Sequence, residues 1–269
     1  MSNTNVQPIT GCGDGDVAPW VLVCGDPDRV PKMSSRWSEH REVCRTREFL
    51  IHTGVWEGIP LTAASTGIGG ASTAVVVEEL CKLGAHTLIR VGNSGALADA
   101  VELGDMVITS ACVRDEGATK TYVRPDYPAA AHYTVTHALV EAAWAHGNRF
   151  HVGVTWSTDG FFSRNKVLAP DGRLQSMSVG GYQQSGMNET VVDMKRAGVL
   201  NLEMEASTLL TLASLFGRRA GCICTVSDRT PWSGPGQDAL RLDENIGAAI
   251  EIAHEAIRTL HAREAAPDA

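Results

Sequence analysis

The chain has 269 residues, of which 43% are hydrophobic and 20% are charged, and its formal net charge is -8. This length suits one large α/β domain with a buried core and is short for two domains. The acidic balance gives the chain no general attraction to nucleic acid or to an anionic membrane, so we expect neither as a partner.

The N-terminal segment 1–16 is polar and Gly-rich, and it has neither the basic nor the apolar region of a secretory signal. The sequence also lacks the ~18-residue apolar run of a membrane span. Its seven cysteines form no C-x-x-C pair, and its nine histidines include no H-E-x-x-H motif. We therefore expect a cytoplasmic protein with reduced cysteines and no catalytic metal.

Strands and helices are predicted to alternate along the chain. Short apolar runs of strand length are Trp20–Cys24, Leu61–Ser65, Thr87–Val91, Asp105–Val113, His151–Trp156 and Ala220–Val226. Helical patterns cover Ala71–Leu83, Tyr133–Ala145, Asn188–Ala197, Glu205–Phe216 and Ile246–Leu260. This order predicts a single α/β domain over 1–269, with a mixed central sheet flanked by helices and a short tail at 263–269.

Three segments have no regular pattern. Ser163–Met187 is rich in Gly, Ser and Gln, and we expect a long flexible loop at the active site, because loops of that length are usually lids or binding loops. Glu116–Pro128 and Trp232–Gln237 are the other two.

Two predicted strands have an arginine and a glycine at or just after their ends. Gly25 to Arg29 follows the first strand, where ligands bind in open α/β sheets, but the same residues also suit a Pro-containing turn. Arg90 lies inside an apolar run, either as an anion ligand or in an internal salt bridge to Glu78 or Glu79. A third glycine-rich turn at 66–70 favours a phosphate-binding crevice formed by all three.

Carboxylates cluster in the C-terminal half. Glu203 and Glu205 precede a nearly apolar helix, and such a pair suits the binding of two vicinal sugar hydroxyls. A helix N-terminal acid explains one of them but not both. Asp228 and Arg229 end the last strand as a candidate acid and hydrogen-bond donor, or as ordinary turn chemistry.

Together these motifs resemble the nucleoside phosphorylase-I family, and its uridine phosphorylases most. The matching segments, in family order, are Gly25–Arg29, Thr46–Phe49, Ser65–Gly70, Arg90–Gly92, Val113–Gly117, Ser157–Phe162 and Leu202–Glu205. The resemblance implies one α/β domain, a hexamer built from dimers, no cofactor, and a small-molecule nucleoside and inorganic phosphate as substrates. The implied activity is reversible phosphorolysis of a nucleoside by a pentosyltransferase.

The resemblance also assigns site residues. Phosphate would be bound by Gly25, Arg29, Arg47, Arg90, Asn93 and Ser94. Ribose would be bound by Met204, Glu205 and Glu203, and the base by Phe161, Phe162, Gly95 and Arg229. Asp228, Arg229 and Arg90 would be catalytic. Arg47 and Ile9 would reach the neighbouring subunit's site, Ile9 at the 5′ end of the ribose.

The sequence departs from the family pattern at several points. Ile9 replaces a histidine that reaches the 5′-hydroxyl, which suits a modified or deoxy 5′ position. Asn93 replaces a phosphate-binding Ser or Thr. The uracil-recognising Gln-x-Arg is replaced by Ser163–Lys166, so Gln183 or Gln184 is a candidate substitute.

The base is therefore left open by the sequence. Asp228 matches the purine enzymes and Arg229 the uridine enzymes. The leading hypothesis is a uridine-like phosphorylase, with a 5′-modified substrate as an option. A purine nucleoside phosphorylase is a second. A hydrolytic nucleosidase is a third, although it needs no arginine cradle, and a non-catalytic nucleoside-binding homologue is a fourth.

Overall fold

A ten-stranded mixed sheet forms the centre of the protein. The computed structural model describes residues 5–231 and 245–265. Its strands are β1 (Trp20–Cys24), β2 (Glu39–Thr46), β3 (Phe49–Trp56), β4 (Ile59–Ser65), β5 (Thr87–Ala96), β6 (Met106–Asp115), β7 (Ala129–Ala130), β8 (Phe150–Thr158), β9 (Lys166–Leu168), β10 (Leu174–Ser176), β11 (Asn201–Glu203) and β12 (Arg219–Arg229). The helices are α1 (Arg29–Ser34), α2 (Gly70–Lys82), α3 (Tyr133–His146), α4 (Phe161–Arg164), α5 (Met187–Arg196), α6 (Ala206–Leu215) and α7 (Ile246–Ala265).

The strand order places the ends of distant segments side by side. The main sheet runs β11-β8-β6-β12-β5-β1-β4-β3-β2, and β7 pairs with β6. Because β11 also pairs with β5, the strands β5, β12, β6, β8 and β11 close into a ring. The pairs β1–β5 and β5–β12 are parallel, whereas β12–β6 is antiparallel, so the sheet is mixed as predicted.

Helices cover the sheet on both faces. Along β1, Trp20 and Leu22 point into a core shared with α1, α3 and α7, whereas Val21 and Val23 point into a core shared with α2 and α6. This alternation is the period of two expected of a strand, and with both faces apolar it explains the continuous hydrophobic run in the sequence.

The predicted strands and helices are all present, and the predicted α/β fold is confirmed, but several boundaries differ. Strand β5 continues to Ala96, so residues 92–96 extend the strand beyond its predicted end at Val91. The expected loop 163–187 contains the antiparallel hairpin β9–β10. A short 3-10 turn, Thr119–Thr121, lies in the irregular segment 116–128. Segment 232–237 lies outside the described residues.

Strands β2 and β3 were not predicted. Strand β2 is polar and mostly exposed, and it forms the edge of the main sheet, so it lacks the apolar run that marks a buried strand. None of the helices within the described residues is long and apolar enough to cross a membrane.

Candidate active site

One cavity of about 790 Å³ lies where β1, β5, β11 and β12 end. It gathers most of the predicted site residues. Its lining consists of Gly25, Asp26, Pro27, Arg29, Glu48, Gly67, Ile68, Arg90, Asn93, Ser94, Gly95, Thr158, Phe161, Phe162, Arg164, Asn165, Leu202, Glu203, Met204, Glu205, Ser227 and Asp228. Ligand sites of open α/β sheets lie outside the carboxyl ends of the strands.

Two buried arginines line the cavity. Arg29 begins α1 directly after the turn that follows β1, and it is 6% exposed. Arg90 lies on the neighbouring strand β5 and is 3% exposed. Nε of Arg29 and Nη1 of Arg90 have no hydrogen-bond partner among the described residues. Because a buried donor without a partner is costly, this pair indicates a site for an anionic ligand.

Arg90 also contacts two carboxylates. Its Nε donates to Oε2 of Glu203 at 3.0 Å, and its Nη2 donates to Oε2 of Glu205 at 2.5 Å. Burial acts to lower the pKa of Arg90, but Glu205 and Glu203 outweigh it and hold this pKa well above its ordinary value. The expected alternative partners, Glu78 and Glu79, are not used. Glu79 instead accepts the backbone N–H groups of Ile9 and Thr10.

Glu203 has a structural task at the start of α6. Its Oε2 accepts the backbone N–H groups of Glu205 and Ala206, each at 2.8 Å, and its Oε1 accepts the hydroxyl of Ser157. These bonds satisfy N–H groups that a helix start leaves open. Glu203 therefore positions both Arg90 and the following helix.

Glu205 is the second carboxylate at the cavity. Its Oε1 accepts the backbone N–H of Gly69 at 2.5 Å, from the glycine-rich turn before α2. Burial raises the pKa of Glu205, with the Arg90 guanidinium opposing the shift. A buried carboxylate held by one arginine and one N–H group is a suitable acceptor for ligand hydroxyls.

Two glycines of β5 make room for these side chains. A Cβ atom on Gly92 would lie 2.8 Å from Cζ of Arg90, and one on Gly95 would lie 2.8 Å from Oδ2 of Asp228. Both approaches are closer than a Cβ atom tolerates. The glycines after Arg90 therefore allow side chains from β5 and β12 to lie against the strand.

The other end of the cavity is aromatic. The rings of Phe161 and Phe162 lie 5.3 Å apart in an edge-to-face arrangement, and Phe162 is 60% exposed. Asp228, which is 4% exposed, accepts the hydroxyl of Ser227 at 2.8 Å. Asn93 and Ser94 line the cavity from β5.

Three predicted site residues lie elsewhere in this chain. The guanidinium of Arg229 donates to the carbonyls of Ala98 and Val101, and the residue does not line the cavity. Arg47 is exposed in the turn between β2 and β3, at a positive φ of 51°. Ile9 is 38% exposed and is held by its backbone bond to Glu79.

Sequence reasoning did not single out every lining residue. Glu48 lines the cavity and accepts the hydroxyl of Ser72 at 2.7 Å. Arg164 and Asn165 line it from α4 and the residue after it. Gln183, which was a candidate for base recognition, accepts Nζ of Lys166 and does not line the cavity. In the sequence, only the position of Arg164 two residues after the aromatic pair pointed to the site.

The fold and the cavity define an α/β protein with two buried arginines beside a buried carboxylate at the ends of its central strands. The model of the phosphorylase superfamily matches residues 19–262, so the chain belongs to that superfamily. A uridine phosphorylase of Thermococcus kodakarensis is 50% identical, over 84% of this chain and 78% of the relative. The uridine phosphorylase of Escherichia coli K12 is 36% identical, over 90% and 92%. A guanosine phosphorylase of Halorubrum lacusprofundi is 34% identical, over 94% and 99%.

These relatives confirm the predicted nucleoside phosphorylase-I family and its likeness to uridine phosphorylases. At the level of the family, the prediction of a pentosyltransferase enzyme is confirmed as well. The comparisons do not favour a hydrolytic nucleosidase or a non-catalytic homologue. Within residues 5–231 and 245–265, no group of three or more His, Cys, Asp or Glu side chains is arranged to hold a metal ion.

Proposed function

We propose that this protein catalyses the phosphorolysis of a nucleoside to a free base and a pentose 1-phosphate. The observation that carries the proposal is the pair of buried guanidiniums, Arg29 and Arg90, with unpartnered N–H groups beside the buried carboxylate of Glu205. Hydrolysis of a neutral nucleoside by water does not require two buried cations. Binding of inorganic phosphate, the co-substrate, does require positive charge.

The phosphate site is proposed at the ends of β1 and β5. Arg29 and Arg90 supply charge-assisted donors, and Gly25 lets the backbone approach the anion. Asn93 and Ser94 line the same wall, and an amide or a hydroxyl donates to phosphate. Phosphate therefore binds where its charge is matched and its position is fixed.

The ribose site is proposed beside Glu205. The carboxylate of Glu205 accepts two vicinal hydroxyls, and Met204 packs against the sugar. Glu203 was predicted to bind ribose directly, but its bonds to Arg90, Ser157 and the start of α6 favour a positioning role. Glu205 is then the residue that contacts the substrate.

The base is proposed to lie between Phe161, Phe162 and Gly95, with Asp228 at its edge. The leading substrate is a uridine-like nucleoside, as in the T. kodakarensis and E. coli relatives. A purine nucleoside is the second candidate, favoured by Asp228 and by the guanosine phosphorylase relative. Arg229 points to backbone carbonyls, so Asp228 is the better candidate for contact with the leaving base.

The chemistry follows from this arrangement. The bond between the anomeric carbon and the base nitrogen breaks, and a phosphate oxygen bonds to the same carbon. In between, the ribosyl group carries positive charge, and phosphate held by Arg29 and Arg90 is both the nucleophile and the counter-charge. The electron pair leaves with the base, and a proton or a hydrogen bond at the edge near Asp228 stabilises it. Positioning and electrostatics supply the catalysis.

The complete site is proposed to need a second subunit. Arg47 is exposed and lies outside the cavity of its own chain, so it is available to a neighbour's phosphate. Ile9 would reach the 5′ end of the neighbour's ribose and favour a deoxy or otherwise apolar group there. We propose a cytoplasmic hexamer built from such dimers.

The activity is tested by incubating the protein with uridine, guanosine and adenosine, with and without inorganic phosphate. We expect base release only with phosphate, together with pentose 1-phosphate in equal amount. Release of base at the same rate without phosphate would contradict the proposal and indicate a hydrolase. The absence of release from every nucleoside would favour a binding protein.

The phosphate site is tested by Arg29→Met. Loss of a charge-assisted donor costs about 1.5–3 kcal/mol, so we expect the KM for phosphate to rise at least ~10-fold. The control is Lys32→Met, which removes a positive charge from the exposed face of the same helix. Steady-state kinetics at varied phosphate measure both. Equal effects of the two substitutions would argue against a direct contact from Arg29.

A further inference from the structure

Arg164 lines the wall of the cavity beside the aromatic pair. We propose that its guanidinium donates to the carbonyl oxygen at C4 of a pyrimidine or at C6 of a purine, and so favours nucleosides with an oxo group at that position over those with an amino group. The inference rests on the proposed function. It assigns base specificity to Arg164, whereas the family resemblance places this role in a Gln-x-Arg motif that this chain lacks.

Three contacts fix the position of Arg164. Its Nη2 donates to Oδ2 of Asp115 at 2.9 Å, and its Nη1 lies 2.8 Å from Sδ of Met187. Its Cζ lies 5.6 Å from the ring centroid of the fully buried Trp156. The indole Nε1 of Trp156 donates to the same Asp115 oxygen at 3.1 Å. The guanidinium is therefore held in one orientation before any ligand binds.

The neighbouring amides are engaged in holding the wall. Nδ2 of Asn165 donates to the carbonyl of Phe161 at 3.0 Å, and its Oδ1 accepts the hydroxyl of Thr230 at 2.9 Å. Gln183 accepts Nζ of Lys166 at 3.1 Å. Arg164 has five N–H donors, and its named contacts use two of them, so it retains donors for a ligand at this wall.

The chemistry of a guanidinium decides which bases it can recognise. Arginine has only donors, so it pairs with the carbonyl oxygen at C4 of uracil or at C6 of a 6-oxopurine, and not with the amino group at the same position of cytosine and adenine. When the base leaves, its negative charge is delocalised onto those oxygens. The bond from Arg164 then becomes stronger in the transition state than in the ground state, so it increases kcat as well as binding.

The test compares Arg164→Gln with Arg173→Gln. Both remove one positive charge from the segment around β9–β10, but Arg173 is 78% exposed, pairs with Asp171 and does not line the cavity. Phosphorolysis is measured on two nucleosides with an oxo group at this position, uridine and guanosine, and on two with an amino group there, cytidine and adenosine. For Arg164→Gln we expect kcat/KM to fall about 10- to 100-fold on the first two and less than about 3-fold on the others. We expect no change for Arg173→Gln.

An equal loss on all four nucleosides, or no loss on any, would overturn the assignment of Arg164. If Arg164→Gln does not fold, Arg164→Lys, which keeps the charge but not the planar fork, is expected to show a smaller selective loss. Asp115→Asn is expected to reduce the preference for oxo bases, since Asp115 orients the guanidinium.

Binding of free bases separates this inference from the proposed activity. Calorimetry of the wild-type protein is expected to show tighter binding of uracil than of cytosine, and Arg164→Gln is expected to abolish the difference. Equal affinities in the wild type would overturn the inference even if phosphorolysis is observed. Conversely, a protein without phosphorolysis that still discriminates between the bases would retain the inference and lose the proposed function.

Discussion

At the scale of single residues, the sequence was informative where the chemistry is unusual. Arg29, Arg90, Glu205 and Asp228 were each singled out because a charge lies within, just after or just before an apolar run, and all four line one cavity. Their partners were not predictable. The expected partner of Arg90 was Glu78 or Glu79, whereas Glu203 and Glu205 are more than 100 positions away and are brought close by the pairing of β11 with β5.

The first prediction concerns the glycine beside Arg90. Gly92→Ala places a Cβ atom 2.8 Å from Cζ of Arg90 and 3.1 Å from Sγ of Cys224, so the guanidinium has to move. We expect the free energy of unfolding to fall by about 1–3 kcal/mol and kcat/KM to fall at least ~10-fold. Urea denaturation and phosphorolysis assays measure the two effects.

Gly247→Ala is the matched control. Gly247 is exposed near the start of α7, and no atom lies within 4 Å of an added Cβ. There the methyl group should raise the free energy of unfolding by about 0.5–1 kcal/mol and leave activity unchanged. A Gly92→Ala protein as stable and active as this control would show that the close packing against Arg90 is unimportant.

At the scale of elements, a run that is apolar on both faces made a strand predictable, although the mostly buried strand β3 was missed. The run Trp20–Cys24 is apolar on both faces, and it was found. Strand β2 at the sheet edge is polar and was missed. The hairpin β9–β10 was also missed, since its short strands have no clear alternation and depend on Asn165, Lys166 and Gln183 for attachment. Such contacts exist only in the folded chain.

The second prediction concerns the contact between α7 and the segment after α1. Nε2 of His254 accepts the indole N–H of Trp37 at 2.9 Å, and its Nδ1 donates to the carbonyl of Ile250 at 2.8 Å. Burial lowers the pKa of His254 from its ordinary value of 6.5. Below pH 6.5 the unfolded chain therefore binds a proton that the folded protein resists, and stability falls as the pH falls towards the lowered pKa.

We expect His254→Gln to be less stable than the wild type at pH 7.5, because the buried contact with Trp37 is weakened. The difference between the two proteins should shrink at pH 5.5, by at most about 1.4 kcal/mol per pH unit. Urea denaturation at both pH values measures it. His137→Gln, a change on the partly exposed face of α3, is the control. A difference that is constant with pH would show that His254 does not titrate as argued.

At the scale of the whole molecule, the fold class followed from the alternation of strands and helices, and the family followed from seven motifs in order. A single chain does not show what surrounds Arg47 and Ile9 in an oligomer. Both are exposed and outside their own cavity, so their proposed roles depend on a neighbouring subunit.

The third prediction tests whether a neighbouring subunit supplies Arg47 to the site, by mixing two variants. Arg47→Gln and Glu205→Gln are each expected to be nearly inactive. In a hybrid dimer, one site has Arg47 from one subunit and Glu205 from the other, so co-expression should restore up to about a quarter of the wild-type activity. Hybrid dimers that form but remain inactive would show that Arg47 does not serve the neighbouring site.

The closed ring of β5, β12, β6, β8 and β11 has a consequence for protein engineering. Arg90, Glu203 and Asp228 lie on strands of this ring, whose backbone hydrogen bonds return on themselves, so none of these strands can slide alone. The proposed base wall, from Phe161 to Asn165, consists of a short helix and the residue after it, and it leads into the hairpin β9–β10, which is a separate two-stranded sheet. Libraries that vary only residues 161–176 therefore retain the machinery that makes the sugar phosphate while they exchange one base preference for another.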